Sequence, residues 1–157
     1  MIVAPDPDSL LFIRRAEREG DPWSGHMALP GGRQDPAEAD LVATAMRETL
    51  EEVGLELRPD DLIGTLDDVV PRTPLLPPIA VRPFVFALGR WPDLKLNPEV
   101  AAVRWVPLDL LLDPATYRSI QIDLRGEQRE FPAYRLDDAD VWGMTERIVS
   151  SLLTQLK

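Results

Sequence analysis

Residues 29–55 read LPGGRQDPAEADLVATAMRETLEEVGL, a glycine-containing loop that leads into a periodic and acidic segment. On a helical wheel with about 100° per residue, four charged side chains fall within an arc of roughly 140°. They are Arg47, Glu48, Glu51 and Glu52. The opposite side is apolar or neutral, so the pattern predicts a helix with one buried face and one face of concentrated negative charge.

Both ends of this helix carry local signals. Asp40 suits the N-cap, because its carboxylate can accept from free backbone N–H groups, and Gly54 suits the position after the helix, where a left-handed conformation is common. These signals predict a helix of about 13 residues, close to the average length. Asp35 to Glu38 is an alternative start, with capping-box spacing and proline at the first helical position.

The acids on the charged face predict a cation site. Glu48 and Glu52 lie one turn apart, where like charges destabilise an isolated helix by a few tenths of a kcal/mol. Arg47 can pair with Glu51 at the same spacing, which leaves Glu48 and Glu52 as ligands for a hard divalent cation. The glycines before the helix let the backbone approach a ligand closely and leave carbonyl groups to face a metal.

With these residues in place, the stretch resembles the Nudix box, the signature of the Nudix hydrolase family. Its fixed positions are filled here by Gly32, Glu38, Arg47, Glu48, Glu51, Glu52, Gly54 and Leu55. Eight residues rather than seven separate Glu38 from Arg47, and Thr49 takes a position that is usually bulky and apolar. The longer spacing is similar to the coenzyme A pyrophosphatase branch, as are residues 10–14 and 141–145, whereas residues 23–30 follow that branch only in part.

The resemblance implies an α+β fold, namely a Nudix-type α/β/α sandwich with a mixed β-sheet between helices. It also implies a pyrophosphatase that uses Mg²⁺ or Mn²⁺ and splits the diphosphate bond of a nucleoside diphosphate linked to another group. Coenzyme A or its derivatives lead as substrate, and ADP-ribose, dinucleotides and nucleoside triphosphates are alternatives. A non-catalytic Nudix-fold nucleotide sensor is the competing class, but such members are expected to lose acids that this chain retains.

The resemblance also assigns roles to residues. The metal ligands would be Glu48, Glu51 and Glu52, with the carbonyl group of Gly32, while Arg47 would orient the acids and Glu38 would order the loop. The family often draws a further carboxylate from outside the box. Glu99, which stands just before a predicted strand, is the candidate for that metal ligand or general base. Arg14 and Arg33 are candidates for bidentate binding of substrate phosphate, and the alternatives are solvated arginines or partners for the acids.

Composition limits the remaining possibilities. A chain of 157 residues predicts a single domain over residues 1–157. The formal charge of −10 argues against a nucleic-acid partner, which needs clustered basic residues. Without cysteine, disulfides and thiol chemistry are excluded. No apolar run approaches the roughly 18 residues of a membrane helix and no signal-peptide pattern opens the chain, so the expected location is cytoplasmic, away from membranes.

The rest of the chain has mixed periodicity. Strands are predicted at residues 1–4, 9–15, 27–29, 62–70, 79–88 and 99–106, with a proline-dense loop at 71–78 and a helical turn at 108–112. Residues 117–124 and 129–136 predict a hairpin. From Asp140 onward, apolar residues recur at helical spacing and predict an amphipathic helix. Trp142 and this apolar stripe are expected to pack in the core or in a homodimer contact, and a substrate platform is the alternative.

Overall fold

The computed structural model describes residues 1–20, 23–71, 79–124 and 126–156. Within these ranges, the strands are β1 (Ile2–Ala4), β2 (Ser9–Arg15), β3 (Met27–Ala28), β4 (Leu62–Thr65), β5 (Phe84–Ala87), β6 (Val100–Pro107), β7 (Tyr117–Leu124), β8 (Glu127–Arg135) and β9 (Asp140–Trp142). The α-helices are α1 (Leu41–Val53), α2 (Leu108–Leu112) and α3 (Gly143–Gln155), and a 3₁₀ turn covers Pro59–Asp61. No helix of the described residues is long and apolar enough to cross a membrane.

The main sheet is mixed, as the sequence predicted. Its strand order is β3-β2-β1-β5-β4, and β6 pairs with the free side of β2. Strands β1 and β5 run parallel, whereas β1, β3 and β6 each pair with β2 in the antiparallel sense. A second, antiparallel sheet has the order β7-β8-β9.

Alternation along β2 gives the main sheet two buried faces. Leu11 and Ile13 join a core cluster on the face that α1 covers, where Val53 is fully buried. Leu10 and Phe12 point to the other face and pack with side chains from β8, β9 and α3. Because successive strand residues face opposite sides, the apolar run at residues 10–13 serves both cores. The sheet therefore lies between helices, and the predicted sandwich is confirmed.

The helix α1 begins and ends at the predicted residues. Asp40 caps it, since its Oδ1 atom accepts a 2.8 Å hydrogen bond from the backbone N–H of Ala43. Gly54 adopts a left-handed conformation with φ of 68°, and a Cβ atom there would lie 2.9 Å from the carbonyl oxygen of Lys95. The alternative start at Asp35 is not used. The backbone N–H of Asp35 does donate to Glu38 Oε2 at 2.7 Å, but this contact closes an isolated turn.

Two predicted strands are shorter than expected. Strand β4 ends at Thr65, and of residues 66–70 only Val69 forms a bridge, to Val81. The segment 79–88 contributes only β5, because Pro83 has no N–H group for a ladder and a strand cannot pair regularly through it. The carbonyl group of Pro83 still accepts from the N–H of Leu66 at 2.9 Å. The predicted loop at 71–78 lies outside the described residues except for Pro71.

The C-terminal helix begins later than predicted. Residues Asp140–Trp142 form β9 and pair with β8, and α3 starts at Gly143. Val141 is fully buried and fits either period, because one apolar residue satisfies a strand face as well as a helix stripe. The helix then buries Ile148, Val149, Leu152 and Leu153, whereas Leu156 is exposed. The predicted hairpin is present as β7 and β8.

Candidate active site

The last turn of α1 is joined to the glycine loop through Glu52. This side chain is only 7% exposed, and its Oε2 atom accepts a 2.9 Å hydrogen bond from the backbone N–H of Gly31. The carbonyl group of Glu52 accepts in turn from the N–H of Asn97 at 3.0 Å. The carboxylate and its backbone are therefore both fixed at one point between the loop, the helix and the chain segment before β6.

The surroundings of Glu52 leave its negative charge poorly compensated. Burial is the largest effect and raises the pKa of Glu52 to about 7, and the charges of Glu48 and Glu99 act in the same direction. The hydrogen bond from Gly31 and the charge of Arg15 oppose this rise only in part. A bound cation would relieve the same imbalance, because an opposite charge nearby favours the ionised carboxylate.

Glu48 packs directly against the second glycine. A Cβ atom added to Gly32 would lie 2.3 Å from Glu48 Oε1 and 2.7 Å from Glu48 Oε2. Any side chain at this position would therefore displace the carboxylate. The loop needs glycine here because a charged group of α1 occupies the space, and this brings an acidic oxygen pair against the backbone that Glu52 also contacts.

Arg47 connects the loop with the helix through several oxygens. Its Nε atom donates to Glu38 Oε1 at 2.7 Å, and a second nitrogen donates to Glu51 Oε2 at 3.0 Å. The third nitrogen lies 2.9 Å from Glu48 Oε1 and donates to the carbonyl group of Arg33 at 3.2 Å. Arginine can make these contacts together because its planar fork carries five donors.

These contacts shift the pKa values of Glu38 and Arg47. The hydrogen bonds from Arg47 and from the hydroxyl group of Thr44, the latter 2.7 Å long, lower the pKa of Glu38 to about 2. The carboxylates raise the pKa of Arg47 above its ordinary value, with Glu38 as the largest cause. Both groups therefore stay ionised over the working range of most enzymes, and Glu38 holds Arg47 as well as the loop.

The structure modifies one sequence-based expectation about Arg47. The pair with Glu51 is present, but Glu48, which the spacing left as a metal ligand, is also ion-paired with the same guanidinium group. Neighbours in sequence on a helix rarely meet, and the contact exists because Arg47 turns toward the loop to reach Glu38 and Arg33. Sequence spacing along α1 carries no signal for that loop contact.

Glu99 lies close enough for its charge to raise the pKa of Glu52. Its side chain is 57% exposed, and its Oε1 atom accepts a 2.8 Å hydrogen bond from Arg18. The backbone is fixed as well, since the carbonyl group of Glu99 accepts from the N–H of Ala16 at 2.8 Å. Sequence reasoning missed Arg18, because a lone arginine in a charged loop has no periodic or motif signal.

The two arginines expected to bind phosphate lie in different places. Arg33 belongs to the glycine loop and gives its carbonyl group to Arg47. Arg14, near the end of β2, instead lines a surface depression together with Arg104 and Asp138. The sequence-predicted candidates are thus brought together around α1 and the loop, with Glu99 beside them and Arg14 apart from them.

The residues present fit a divalent cation. Within the described ranges, no three acidic or histidine side chains converge closely enough to hold an ion alone. Glu48 and Glu52 nevertheless offer carboxylate oxygens beside the same loop backbone. Mg²⁺ commonly takes one or two carboxylates and completes its shell with water and substrate phosphate. A two-carboxylate donor set is therefore sufficient for an ion that binds together with a phosphorylated substrate.

Comparison with known proteins identifies the family. The family model of the NUDIX domain matches residues 1–124, so the chain belongs to the Nudix hydrolases, whose members act on pyrophosphate bonds. An uncharacterized protein of Schizosaccharomyces pombe is 40% identical over 131 residues, which are 80% of this chain but 40% of that protein. The chain therefore spans less than half the length of this relative.

Two bacterial relatives are similar over nearly the whole chain. Both are named uncharacterized Nudix hydrolase NudL. The one from Photorhabdus laumondii is 32% identical, over a stretch that covers 100% of this chain and 81% of the relative. The one from Cronobacter sakazakii is 33% identical, over a stretch that covers 99% of this chain and 79% of the relative.

Solved structures share the fold at lower identity. A MutT/nudix family protein from Enterococcus faecalis has a TM-score of 0.64 and 18% identity, over 99% of this chain and 59% of that one. The NUDIX domain of Shewanella oneidensis NrtR, crystallised with ADP ribose, has a TM-score of 0.60 and 15% identity, over 99% and 84% of the two chains. Nudix hydrolases generally use divalent metal ions.

Proposed function

We propose that this chain hydrolyses the diphosphate bond of a nucleoside diphosphate linked to another group, with coenzyme A or its derivatives as the leading substrate. The observation that carries the proposal is the convergence of two acids of α1 on one loop. Glu52 accepts from the N–H of Gly31, and Glu48 fills the space beside Gly32. This arrangement places carboxylate oxygens beside the backbone of one glycine loop, where a metal ion that assists attack on a diphosphate can bind.

In this proposal the chain binds Mg²⁺ or Mn²⁺ through Glu48, Glu52 and the carbonyl group of Gly32, and Glu51 joins them when it leaves Arg47, with which it is paired. The ion, when bound, would offset charge on the phosphoryl oxygens and acidify an attacking water. Arg47 positions the acids through its contacts to Glu48 and Glu51.

Glu99 is proposed as a further metal ligand or as the general base. Its charge already acts on Glu52, which supports its place beside the reacting group. Accepting a proton from water would first require it to part from Arg18, with which it is ion-paired. The outward exposure of its side chain leaves room for that movement.

Support for coenzyme A comes from sequence likeness to one branch of the family. The eight-residue spacing between Glu38 and Arg47 and the segments 10–14 and 141–145 follow that branch. ADP-ribose, dinucleotides and nucleoside triphosphates are the alternative substrates. The non-catalytic sensor is disfavoured because the acids of α1 are all present and two of them, Glu48 and Glu52, contact the loop.

The remaining parts of the proposal concern partners and organisation. The formal charge of −10 supports a small-molecule substrate over a nucleic acid, because phosphate backbones are bound by clustered cations. We propose that residues 1–157 form a single domain, and a cytoplasmic location stays a sequence-based prediction. A homodimer is the proposed alternative to a monomer, and sedimentation of the purified chain distinguishes the two.

The testing experiment is product analysis by mass spectrometry after incubation with Mg²⁺ or Mn²⁺. The panel contains coenzyme A, ADP-ribose, NADH, diadenosine polyphosphates and nucleoside triphosphates. Release of 4′-phosphopantetheine supports the leading substrate, and cleavage of another compound replaces it. Metal binding without turnover of any compound would favour the sensor.

Variants at two glutamates give the matched control. Glu52→Gln is expected to remove most metal-dependent turnover, by more than the roughly 10–100-fold that loss of an outer-shell partner costs, while the protein stays folded. Its amide oxygen can still accept from Gly31, so the loop contact is preserved. Glu56→Gln, at an exposed position just beyond α1, is expected to turn over substrate like the parent chain. Unchanged turnover in Glu52→Gln would contradict the assignment.

A further inference from the structure

A surface depression of about 410 Å³ lies between the ends of β2, β3 and β6 and the turn that joins β8 to β9. Its charged lining is formed by Arg14, Arg104, Asp137 and Asp138. Arg14 pairs with Ala102 across β2 and β6, and Arg104 pairs with Phe12. Because residues two apart share a strand face, the two guanidinium groups emerge side by side from one face of the sheet.

One carboxylate lies between these two cations. Asp138 Oδ2 is 3.5 Å from Arg14, which also donates a 3.0 Å hydrogen bond to the carbonyl group of Asp138. The other oxygen, Oδ1, accepts from Arg104. Asp137 adds a weaker contact, 3.6 Å from Arg104. Asp138 therefore bridges the two arginines, with each of its oxygens facing a different one, and Asp137 adds a second negative charge beside Arg104.

The cations and the carboxylate differ in how firmly they are held. Arg14 and Arg104 belong to paired strands and are 35% and 28% exposed, whereas Asp138 is 63% exposed and belongs to a turn. Exposed ion pairs contribute only about 0–1 kcal/mol. An anion of higher charge could therefore displace the Asp138 carboxylate at little cost while the two arginines stay in place.

The chemistry of the depression suits a phosphate monoester. Guanidinium groups bind phosphate through parallel hydrogen bonds, and a monoester carries close to two negative charges at neutral pH. Two adjacent arginines match that charge once the exposed carboxylates of Asp137 and Asp138 turn away from them. The volume also exceeds that of a phosphate group and lies within the range of small-molecule sites, so part of a nucleoside can enter with it.

The depression is close in sequence to the glycine loop. Arg14 pairs with Met27 across β2 and β3, and Met27 precedes Gly31 by four residues, which span at most about 14 Å. Gly31 contacts Glu52. The depression and the acids of α1 lie on opposite faces of the sheet. A ligand that contacts both would therefore have to pass around the loop after β3.

We propose that the depression is a subsite for a phosphate monoester carried by the nucleoside part of the substrate. Arg14 and Arg104 hold the monoester, and Asp138 occupies its place until the substrate displaces it. The inference rests on the proposed function and deepens it, because it selects diphosphate substrates that bear an additional phosphate. Arg104 is then a specificity-determining residue that lies outside the Nudix box.

The kinetic test compares coenzyme A, which bears a 3′-phosphate, with 3′-dephospho-coenzyme A. In Arg104→Gln, the ratio of kcat/KM for the two substrates is expected to fall about tenfold, mainly through KM, as for the loss of one charge-assisted contact. Arg129→Gln removes an exposed ion pair with Glu127 on the β7–β8 hairpin and is the matched control. An unchanged ratio in Arg104→Gln would overturn the subsite.

A binding test separates this inference from the proposed function. Calorimetry with adenosine 3′,5′-bisphosphate and no metal is expected to show binding that Arg104→Gln weakens and Asp138→Asn strengthens. If no compound is hydrolysed but this pattern holds, the subsite stands and the proposed function fails. If coenzyme A is hydrolysed but Arg104→Gln leaves both tests unchanged, the function stands and the subsite fails.

Two control ligands identify the source of the phosphate. Adenosine 5′-monophosphate lacks the second phosphate and is expected to bind more weakly than the bisphosphate, with little dependence on Arg104. Inorganic phosphate is expected to bind weakly as well, because it brings no nucleoside into the depression. If inorganic phosphate binds as tightly as the bisphosphate, the depression is a general anion site and the substrate subsite is overturned.

Discussion

The backbone N–H of Gly31 lies 2.9 Å from Glu52 Oε2 and donates to it, so a loop amide and a helix acid are held together before any ligand arrives. The amide partly offsets a charge that burial makes costly, and the pKa of Glu52 still rises to about 7. A cation bound at this carboxylate would complete the compensation. The hydrogen bond between Gly31 and Glu52 therefore links the position of the glycine loop to the affinity of Glu52 for a metal ion.

Metal binding is expected to raise the thermal stability of the chain. At a free Mn²⁺ concentration of about 100 times Kd, the gain is about 2.7 kcal/mol, which corresponds to roughly 5–10 °C in Tm for a chain of this size. Differential scanning fluorimetry at pH 8 with and without Mn²⁺ measures it. Glu52→Gln should lose most of the shift and Glu56→Gln should keep it. Equal shifts in both variants would place the ion elsewhere.

Gly32→Ala is expected to lower turnover more than it lowers stability. The new Cβ atom would lie 2.3 Å from the carboxylate of Glu48, so the acid must move away from the loop. We expect turnover to fall at least about tenfold with a modest change in Tm. The control is Gly64→Ala on β4, where an added Cβ atom meets nothing within 4 Å. Equal activity in the two variants would show that Glu48 tolerates displacement.

Glu38 is expected to stabilise the fold above acidic pH. Arg47 and Thr44 lower its pKa from 4.5 to about 2 in the folded chain. A depressed carboxyl pKa stabilises the fold above the unfolded value and loses this contribution as pH falls through the folded value. The difference in Tm between the parent chain and Glu38→Gln should therefore be full above pH 4.5 and shrink toward pH 2. A difference that does not change with pH would exclude ionic pairing as its cause.

Tyr117 is expected to stabilise the fold at neutral pH and to lose this contribution at alkaline pH. Its hydroxyl group donates a 2.8 Å hydrogen bond to Glu146 Oε1, a buried carboxylate on α3. Burial and this bond raise the pKa of Tyr117 from 10 to about 12, so its contribution is complete below pH 10 and is lost as pH rises through 12. Tyr117→Phe should lower the free energy of unfolding by about 1–2 kcal/mol at pH 8.

Denaturant unfolding at pH 8 and at pH 11 measures this difference. The gap between Tyr117→Phe and the parent chain should narrow at the higher pH. Tyr134 also bonds to Ser150 beside Glu146, so absorbance at 295 nm in the variant assigns the titration. A gap that widens with pH would contradict the assigned direction.

The sequence predicted α1 and its limits because the signals are local. Asp40 and Gly54 act within one turn of the residues they cap, and the charged face follows from spacing alone. The contacts that complete the candidate site are not local. Glu38 reaches Arg47 across a loop, and Glu99 reaches Arg18 across 81 positions, so their pairing depends on the sheet that brings β2 and β6 together.

Strand limits were harder to predict for a related reason. Apolar residues fill most of the segment from Ile79 to Leu88, but apart from the bridge at Val81 strand pairing starts only after Pro83, which has no N–H group to donate. Val141 satisfied a helical period and lies in β9 because β8 offers it a partner, Tyr134. In both places, the pairing partner in the folded chain decides whether a residue belongs to a strand, and the local sequence alone does not.

The polar links of the glycine loop to α1 have a consequence for evolution and engineering. Gly31 contacts Glu52, Glu38 contacts Thr44 and Arg47, and the carbonyl group of Arg33 contacts Arg47. Residues 31–52 thus contain both ends of each of these links, whereas the carbonyl group of Glu52 also accepts from Asn97 outside this segment. A recombination that exchanges residues 31–52 whole and keeps Asn97 should preserve these contacts, whereas a crossover within residues 31–52 would separate partners that have to be inherited together.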